Sequence, residues 1–399
     1  MRLQLIVLAI FSLPLFLLAQ VTVSTDSTRR QKTNAVDVDF LFNYYQQDGN
    51  HSAVTGGTGT QELNDFDGQI VAYTPIDSVS ALNFQMGMNY YTSASTDNID
   101  FRISSASRHD LRVQGYVTYS RKPDSENSFD VTVGSSIESD YISKSLSARY
   151  TRSSDDRNRN FSILASAYLD NWVVIFPQEL RKPGLASLET GKRQSFSMGS
   201  TFQQVISKRT QAEFSAGLVW QRGLLSTPFH RVYFSGKALP RIENLPDSRL
   251  KFPLTLQVNH FFGSHLVTRL SYRFYFDSFR ISGNSFLLET PVKFSPSFTL
   301  TPFYRFHSQS ASRYFEAFAE HDSTVVYYTS DYDLSDFNSH RAGIGIHIAP
   351  ANGILNSANR NRRKAGGMMD EMGLRTSCLL RSDGLRAWMA SLNLSFQWR

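Results

Sequence analysis

Residues 265–309 read HLVTRLSYRFYFDSFRISGNSFLLETPVKFSPSFTLTPFYRFHSQ. In the first third, Leu266, Thr268, Leu270, Tyr272, Phe274 and Phe276 take every second position. His265, Val267, Arg269, Ser271, Arg273, Tyr275 and Asp277 lie between them. After a short polar bend over 278–283, Phe286, Leu288, Val292 and Phe294 alternate with Glu289 and Lys293. Pro296 and Ser297 turn the chain, and Phe298, Leu300, Tyr304 and Phe306 then alternate with Thr299, Thr301, Arg305 and His307. A period of two is the mark of a strand. A soluble sheet also alternates, but the strand length, aromatic content and repetition here point to a bilayer. About 9–11 residues of tilted strand cross the hydrocarbon, with lipid on one face and a wet lumen on the other.

The same alternation extends in both directions. Toward the N-terminus it starts near Ala35, with Val36, Val38, Phe40, Phe42 and Tyr44 on one face. It returns in 63–73, in Leu82 to Tyr90, in Leu111 to Tyr119, in Phe129 to Ile137, around Leu146 to Tyr150 and in Phe161 to Leu169. Further strands centre on Phe196 to Phe202, Phe214 to Trp220 and Phe252 to Val258. Beyond the opening stretch come Ile344 to Ile348, Cys378 to Arg381, and a last strand from Leu385 to Trp398. About sixteen strands follow, an even number that suits a bacterial barrel. Odd-numbered connections come out long, with few exceptions, and even ones mostly short, the pattern of outer loops and periplasmic turns. A Gly/Thr-rich stretch, 55–60, reads as a flexible loop. One even connection, 351–371, is long and basic, with Arg360, Arg362, Arg363 and Lys364. It is expected to dock a periplasmic partner, plug the lumen, or be a plain solvated turn.

Composition agrees with an exported barrel. Hydrophobic residues make up 41%, with 30 Phe and 18 Tyr available for interfacial girdles. Mean hydropathy is −0.30, so no apolar helical span is expected in the body of the chain. The single cysteine, Cys378, excludes an internal disulfide and reads as an inert wall residue. The net charge of +6 comes from Arg and Lys scattered along strands rather than clustered, which argues against nucleic acid as a partner. Residues 1–19 have one arginine, an apolar run interrupted by Pro14, and Ala19 at its end. This is the pattern of a cleaved secretory signal peptide. Residues 20–34 read as a disordered lead and 35–399 as one outer-membrane barrel. Phe396 and Trp398, on the outward face of the last strand, are expected to form an assembly signal; Arg399 follows them.

Four segments carry a family resemblance: Leu270 to Asp277 (LSYRFYFD), Glu289 to Pro296 (ETPVKFSP), Pro302 to Phe306 (PFYRF) and Tyr328 to Ser335 (YTSDYDLS). Together they resemble the family known as domain of unknown function 3570, a group of outer-membrane barrels. The likeness is strongest in the C-terminal half. It implies a barrel and a location, not a reaction. Such proteins are also associated with neighbours that handle flavin attachment or redox work, yet no residue of this chain supports flavin binding, and no cofactor is expected.

Chemistry-bearing patterns are sparse. Ser339 with His340, and His307 with Ser308, are sequence neighbours and so point to opposite faces of a strand. No nucleophile-elbow or zinc-protease motif occurs, so a barrel-embedded hydrolase is only a minor alternative. His265, His307 and His347 share the expected lumen face but lack a recurrent ligand spacing. Asp331, Asp333 and Asp336 begin like a calcium loop. However, Asp336 stands where such a loop needs Gly, and Ala342 where it needs Glu. The plainer reading is an acidic loop with local turns.

The sequence therefore predicts an all-β, transmembrane antiparallel β-barrel of about sixteen strands in the outer membrane of a Gram-negative bacterium. Lipid, lipopolysaccharide and the barrel-assembly machinery are its expected surroundings. A pore or gated channel for small solutes is the leading function; a closed structural or partner-docking barrel is the alternative. On the lumen face, Arg269, Glu289 and Arg305 are expected to sit close across adjacent strands, with Arg273 and Lys293 nearby. That row carries excess positive charge and would favour anions in an open pore.

Overall fold

The computed structural model of the protein describes residues 36–92, 109–175, 188–351, 353–354 and 368–398. The expected signal peptide, the lead that follows it, and Arg360, Arg362, Arg363 and Lys364 lie outside the described residues. The first nine wall strands are β1 (Val36–Asp48), β2 (Leu63–Pro75), β3 (Ser80–Thr92), β4 (His109–Arg121), β5 (Asn127–Ile137), β6 (Tyr141–Ser153), β7 (Arg159–Ile175), β8 (Leu188–Ser207) and β9 (Thr210–Gly223). Two short segments, β10 (Arg231–Val232) and β11 (Arg241–Ile242), pair only with each other. The wall resumes with β12 (Ser248–Phe262), β13 (Leu266–Asp277), β14 (Ser282–Glu289), β15 (Val292–Ser295), β16 (Phe298–Gln309), β17 (Phe337–Ile348), β18 (Met368–Arg381) and β19 (Arg386–Trp398).

β14 and β15 are two parts of one wall strand, so the seventeen sheet segments make sixteen strands, all antiparallel. The seam closes over the full length of β1: Val36 stands opposite Trp398 and Asp48 opposite Arg386. Closure leaves no open sheet edge, which is what permits strands to cross hydrocarbon. The sequence pattern runs through 286–294 as a single strand, but the structure breaks it at Thr290 and Pro291. Pro291 has no N–H to give the ladder, although its carbonyl still accepts from Val267 N at 3.0 Å.

Alternation sets the two faces. Met86, Met88, Val133, Leu146, Leu270 and Phe286 point outward and remain exposed, forming the apolar band. Aromatics ring both ends of it. Near the chain termini, Phe396 and Trp398 stack at 5.4 Å and Phe129 meets Tyr150 at 5.0 Å. At the opposite end, Tyr44 meets Trp388 at 5.6 Å and Phe252 stacks on Phe276 at 4.6 Å. Rings that are apolar at the body and polar at the tip suit the bilayer interfaces.

At the end opposite the termini, three connections, 49–62, 224–247 and 310–336, pack together as a cap. Its apolar part is three buried clusters. Val54 and Leu63 meet Phe229; Leu245 and Leu334 meet Phe279 and Ile281; Val232 and Phe234 meet Tyr328. The bend at 278–281 is thus not polar, as the sequence reading has it: Phe279 and Ile281 are each 1% exposed. Asp277 shapes this bend by accepting from Phe279 N at 2.9 Å and Ile281 N at 3.1 Å. The stretch 55–60 is likewise a packed corner rather than a flexible loop. Gly56 has φ +84° and Gly57 φ +93°, and a side chain on Gly56 would meet the Tyr233 ring at 2.6 Å. These glycines serve a close approach in a left-handed turn.

Candidate functional site

Among the described residues, chemistry-bearing side chains gather on the basic side of the lumen and in the polar heart of the cap. The lumen side is built by β13 to β18, where odd-numbered residues face inward. Arg269 stands opposite Glu289 in the ladder, and Arg273 opposite Ser285. Arg305 stands opposite Leu287 and Glu289 opposite Phe303, so Glu289 and Arg305 are diagonal neighbours; an irregularity between Lys293 and Ser295 sets the register one residue from that of a hairpin centred on Pro296 and Ser297. Glu289 instead accepts from Arg375 Nη2 at 2.6 Å, a residue of β18 that reaches across the strands between them. Arg375 also lies over the Phe303 ring, 3.7 Å from its centroid. Arg305 Nε donates to Ser285 Oγ at 2.9 Å, and Arg341 Nε to Ser377 Oγ at 2.9 Å. Arg305 and Arg341 face each other directly across β16 and β17. Lys293 lies in β15, exposed, toward the terminal end. Arg341 and Arg375 belong to the same basic side as the residues of the expected row. Their strands are distant from it in sequence, so only the closed topology brings them in.

The cap meets inward-facing wall residues, which places it in the mouth of the barrel. Tyr45 of β1 packs against Val54, Leu63 and Phe229. Gln47 Nε2 donates to the Gln61 carbonyl at 2.9 Å. Gln309 Nε2 donates to the Asp333 and Ser335 carbonyls at 3.1 and 2.7 Å. Arg381 of β18 pairs with Asp333 and Asp383, both at 2.5 Å, and donates to the Tyr332 carbonyl at 2.9 Å. A buried, doubly paired guanidinium of this kind ties cap to wall.

The three aspartates weighed as calcium candidates go separate ways. Asp333 turns to Arg381, Asp336 is exposed, and Asp331 is buried against the 224–247 connection. There, His230, Glu243 and Asp331 converge, and all three are buried. His230 Nδ1 is 3.6 Å from Glu243 Oε1 and 3.9 Å from Asp331 Oδ2. Burial lowers the His230 pKa, favouring the neutral ring. Burial, with the neighbouring Asp333 and Glu243 carboxylates, pushes Asp331 up to about 8. Glu243 lies below its ordinary value: burial opposes ionisation, but His230, the Thr329 hydroxyl and Thr227 N–H outweigh it.

This grouping left no local signal, since its members are far apart in the chain. A second buried acidic group, Asp110, Glu138 and Asp140, is met by the Tyr91 hydroxyl at 3.1 Å from Glu138 and by Arg112 at 3.7 Å from the same carboxylate. His265 and His347 are exposed, and His347 meets Glu371 at 3.3 Å; His307 is inward and half-buried.

Comparison with known proteins adds a family. Solved structures of similar fold include the ferric enterobactin receptor of Pseudomonas aeruginosa, at 9% identity and TM-score 0.46, covering 86% of this chain and 53% of that one. The siderophore receptor PirA of Acinetobacter baumannii matches at 10% identity and TM-score 0.47, with 88% and 54% covered. A BenF-like porin from Pseudomonas fluorescens Pf-5 matches at 8% identity and TM-score 0.45, with 92% and 98% covered. The chain spans about half the length of the siderophore receptors it matches. No curated protein matches the chain. The family model for DUF3570, a protein family of unknown function, matches residues 15–359, most of the chain. The chain therefore belongs to the DUF3570 family.

Proposed function

We propose that the protein is an outer-membrane channel of a Gram-negative bacterium that passes small anionic solutes and is narrowed at one mouth by the folded cap. The observation that carries this reading is the inward cluster of Arg273, Arg305, Arg341 and Arg375 beside the carboxylate of Glu289 on the same side. These four residues are half-buried although they face inward. Charge lining a low-dielectric wall focuses its field across the passage, and a basic lining selects anions. The test is the reversal potential of the purified protein in planar bilayers under a salt gradient. Wild type should prefer anions, and Arg305→Ala combined with Arg341→Ala should move the potential toward zero. A conducting wild type without anion preference overturns the selectivity. Absence of conductance overturns the channel.

A closed barrel is the second reading, and the packed cap favours it. Three clusters of buried apolar side chains and the Arg381–Asp333 pair are more than a mobile loop needs. Conductance measured before and after proteolytic trimming of the cap separates the two. A barrel that is silent when intact and conducts when trimmed is closed at the cap.

A further inference from the structure

We propose that the cap holds one divalent first-row transition ion, of the zinc type, between His230, Glu243 and Asp331, and that the ion staples the 224–247 connection to the 310–336 connection. The three donors come from two connections that share no wall strand. His230 and Glu243 flank the β10–β11 ribbon, and Asp331 precedes the short turn at Tyr332–Leu334. Their donor atoms lie within 4.8 Å of one another. Donors about 2.0–2.2 Å from a tetrahedral zinc stand about 3.3–3.6 Å apart. The observed 3.6 and 3.9 Å separations need only a small contraction.

The His230 ring is the second, independent sign. It is 1% exposed, yet neither Nδ1 nor Nε2 has a hydrogen-bond partner. Buried polar atoms are nearly always satisfied, and an exception calls for a missing partner. Nδ1 is aimed at the gap between the two carboxylates, too far from either for a hydrogen bond.

The carboxylates are already oriented. Glu243 Oε2 accepts from Thr227 N at 2.6 Å, and its Oε1 accepts from the Thr329 hydroxyl at 2.5 Å. Asp331 Oδ1 accepts from Asp333 N at 3.0 Å, which leaves Oδ2 toward His230. Outer hydrogen bonds of this sort fix ligand direction in metal centres. One imidazole with two carboxylates offers two negative charges, balanced by one divalent cation. An imidazole donor and so few oxygens disfavour calcium, which takes six to eight oxygens. A cavity of about 270 Å³, lined by Thr190, Leu224, Ser226 and Pro228 among others, also has Glu243 in its wall and gives an ion an approach.

The test uses the full-length protein, folded in detergent, stripped with a chelator and then titrated with Co²⁺ followed by visible absorption, with Zn²⁺ as competitor. One equivalent should bind, and Zn²⁺ should displace it. His230→Ala and, separately, the isosteric Glu243→Gln and Asp331→Asn should each weaken binding by about 100-fold, since even outer-partner losses cost 10–100-fold. Asp336→Asn, at an exposed position outside the cluster, should bind as wild type. Folding of the barrel in each variant is read from its heat-dependent gel mobility, and folding of the cap from its metal-free rate of clipping within 224–247 and 310–336. The isosteric pair carries the test if His230→Ala does not fold. Zn²⁺ should also slow clipping within 224–247 and 310–336. Absence of stoichiometric binding, or equal affinity in the folded variants, overturns the site and leaves a buried polar cluster only. Binding without protection from clipping overturns the staple. None of these readouts depends on conductance, so the channel can fail without the ion site failing.

Discussion

In the wall, Leu270 and Phe286 turn outward and stay exposed, 49% and 48%, for lipid to cover. In the cap, Phe234 and Phe279 are 1% exposed and sealed by protein alone. The wall owes its closure to a continuous antiparallel ladder, and its outward side chains need only be apolar. The cap has little ladder. It is held by packing, by Asp277 hydrogen-bonding its own bend, and by charges reaching from wall to loop. Arg249 illustrates the last: its Nε donates to Asp277 at 2.8 Å while the guanidinium covers Phe279 at 4.5 Å. Two kinds of stability therefore coexist in one chain, one set by the bilayer and one by a small aqueous core. They should separate under mutation.

The sharpest separation is expected at Phe279. Truncating a fully buried Phe to Ala costs about 3–5 kcal/mol. In Phe279→Ala that loss should fall on the cap: limited proteolysis of 224–247 and 310–336 should speed up markedly, while heat-dependent gel mobility stays that of a closed barrel. If the barrel itself fails to form, cap and wall are one cooperative unit and the distinction collapses.

The converse experiment places a charge on the lipid face. Leu270→Arg should destabilise the barrel by about 2–4 kcal/mol, the cost of an arginine near the bilayer midplane. Urea unfolding in lipid vesicles measures it. Ser271→Arg, one residue along and on the lumen face, should cost far less. Equal losses at both positions would mean that the two faces are not lipid and water.

A smaller effect is expected at the seam. Phe396 stacks on Trp398 and lies edge-on to Phe40 of β1 at 5.6 Å. Replacing both by Ser removes about 1.5–3 kcal/mol of interfacial burial. We propose that the pair also serves barrel assembly, so the amount of heat-modifiable barrel in the outer membrane should fall by more than stability alone explains. An unchanged assembled amount would confine the pair to girdle packing.

The difference between wall and cap also governs what the sequence discloses. Alternation is local, so each strand is legible from its own ten or so residues: Leu82 to Tyr90 needs no knowledge of its neighbours to be read as a strand with Phe84 and Met86 outward. Cap structure is not local. Phe279 and Ile281 sit in a four-residue bend whose burial depends on Leu245 and Leu334, and nothing within the bend signals it. The 55–60 glycines look like a flexible loop until Tyr233 and Ser330 are placed against them. The lumen row shows a middle case. Inward parity follows from the pattern, so Arg269, Arg273, Glu289 and Arg305 share a face. Which partner each finds depends on strand tilt and on the Pro291 break, and Glu289 finds Arg375, 86 residues on.

That middle case supports the finest test. In the ladder, Arg269 faces Glu289, but the short contact, 2.6 Å, belongs to Arg375. The Arg375 side chain is 39% exposed and Glu289 14%, so water screens the pair in part. An exposed pair of this kind contributes about 0.2–1 kcal/mol. Arg375→Ala also loses its stacking on Phe303, so a single variant would overstate the ion pair. Two double-mutant cycles, Glu289→Gln with Arg375→Ala and Glu289→Gln with Arg269→Ala, cancel such side effects. Urea unfolding should give a coupling of about 0.2–1 kcal/mol for the first and a smaller one for the second. A larger coupling to Arg269 would mean that ladder register, not reach across the lumen wall, decides the pairing. Folding should survive every variant in either cycle, because the ladder closes the wall without these charges.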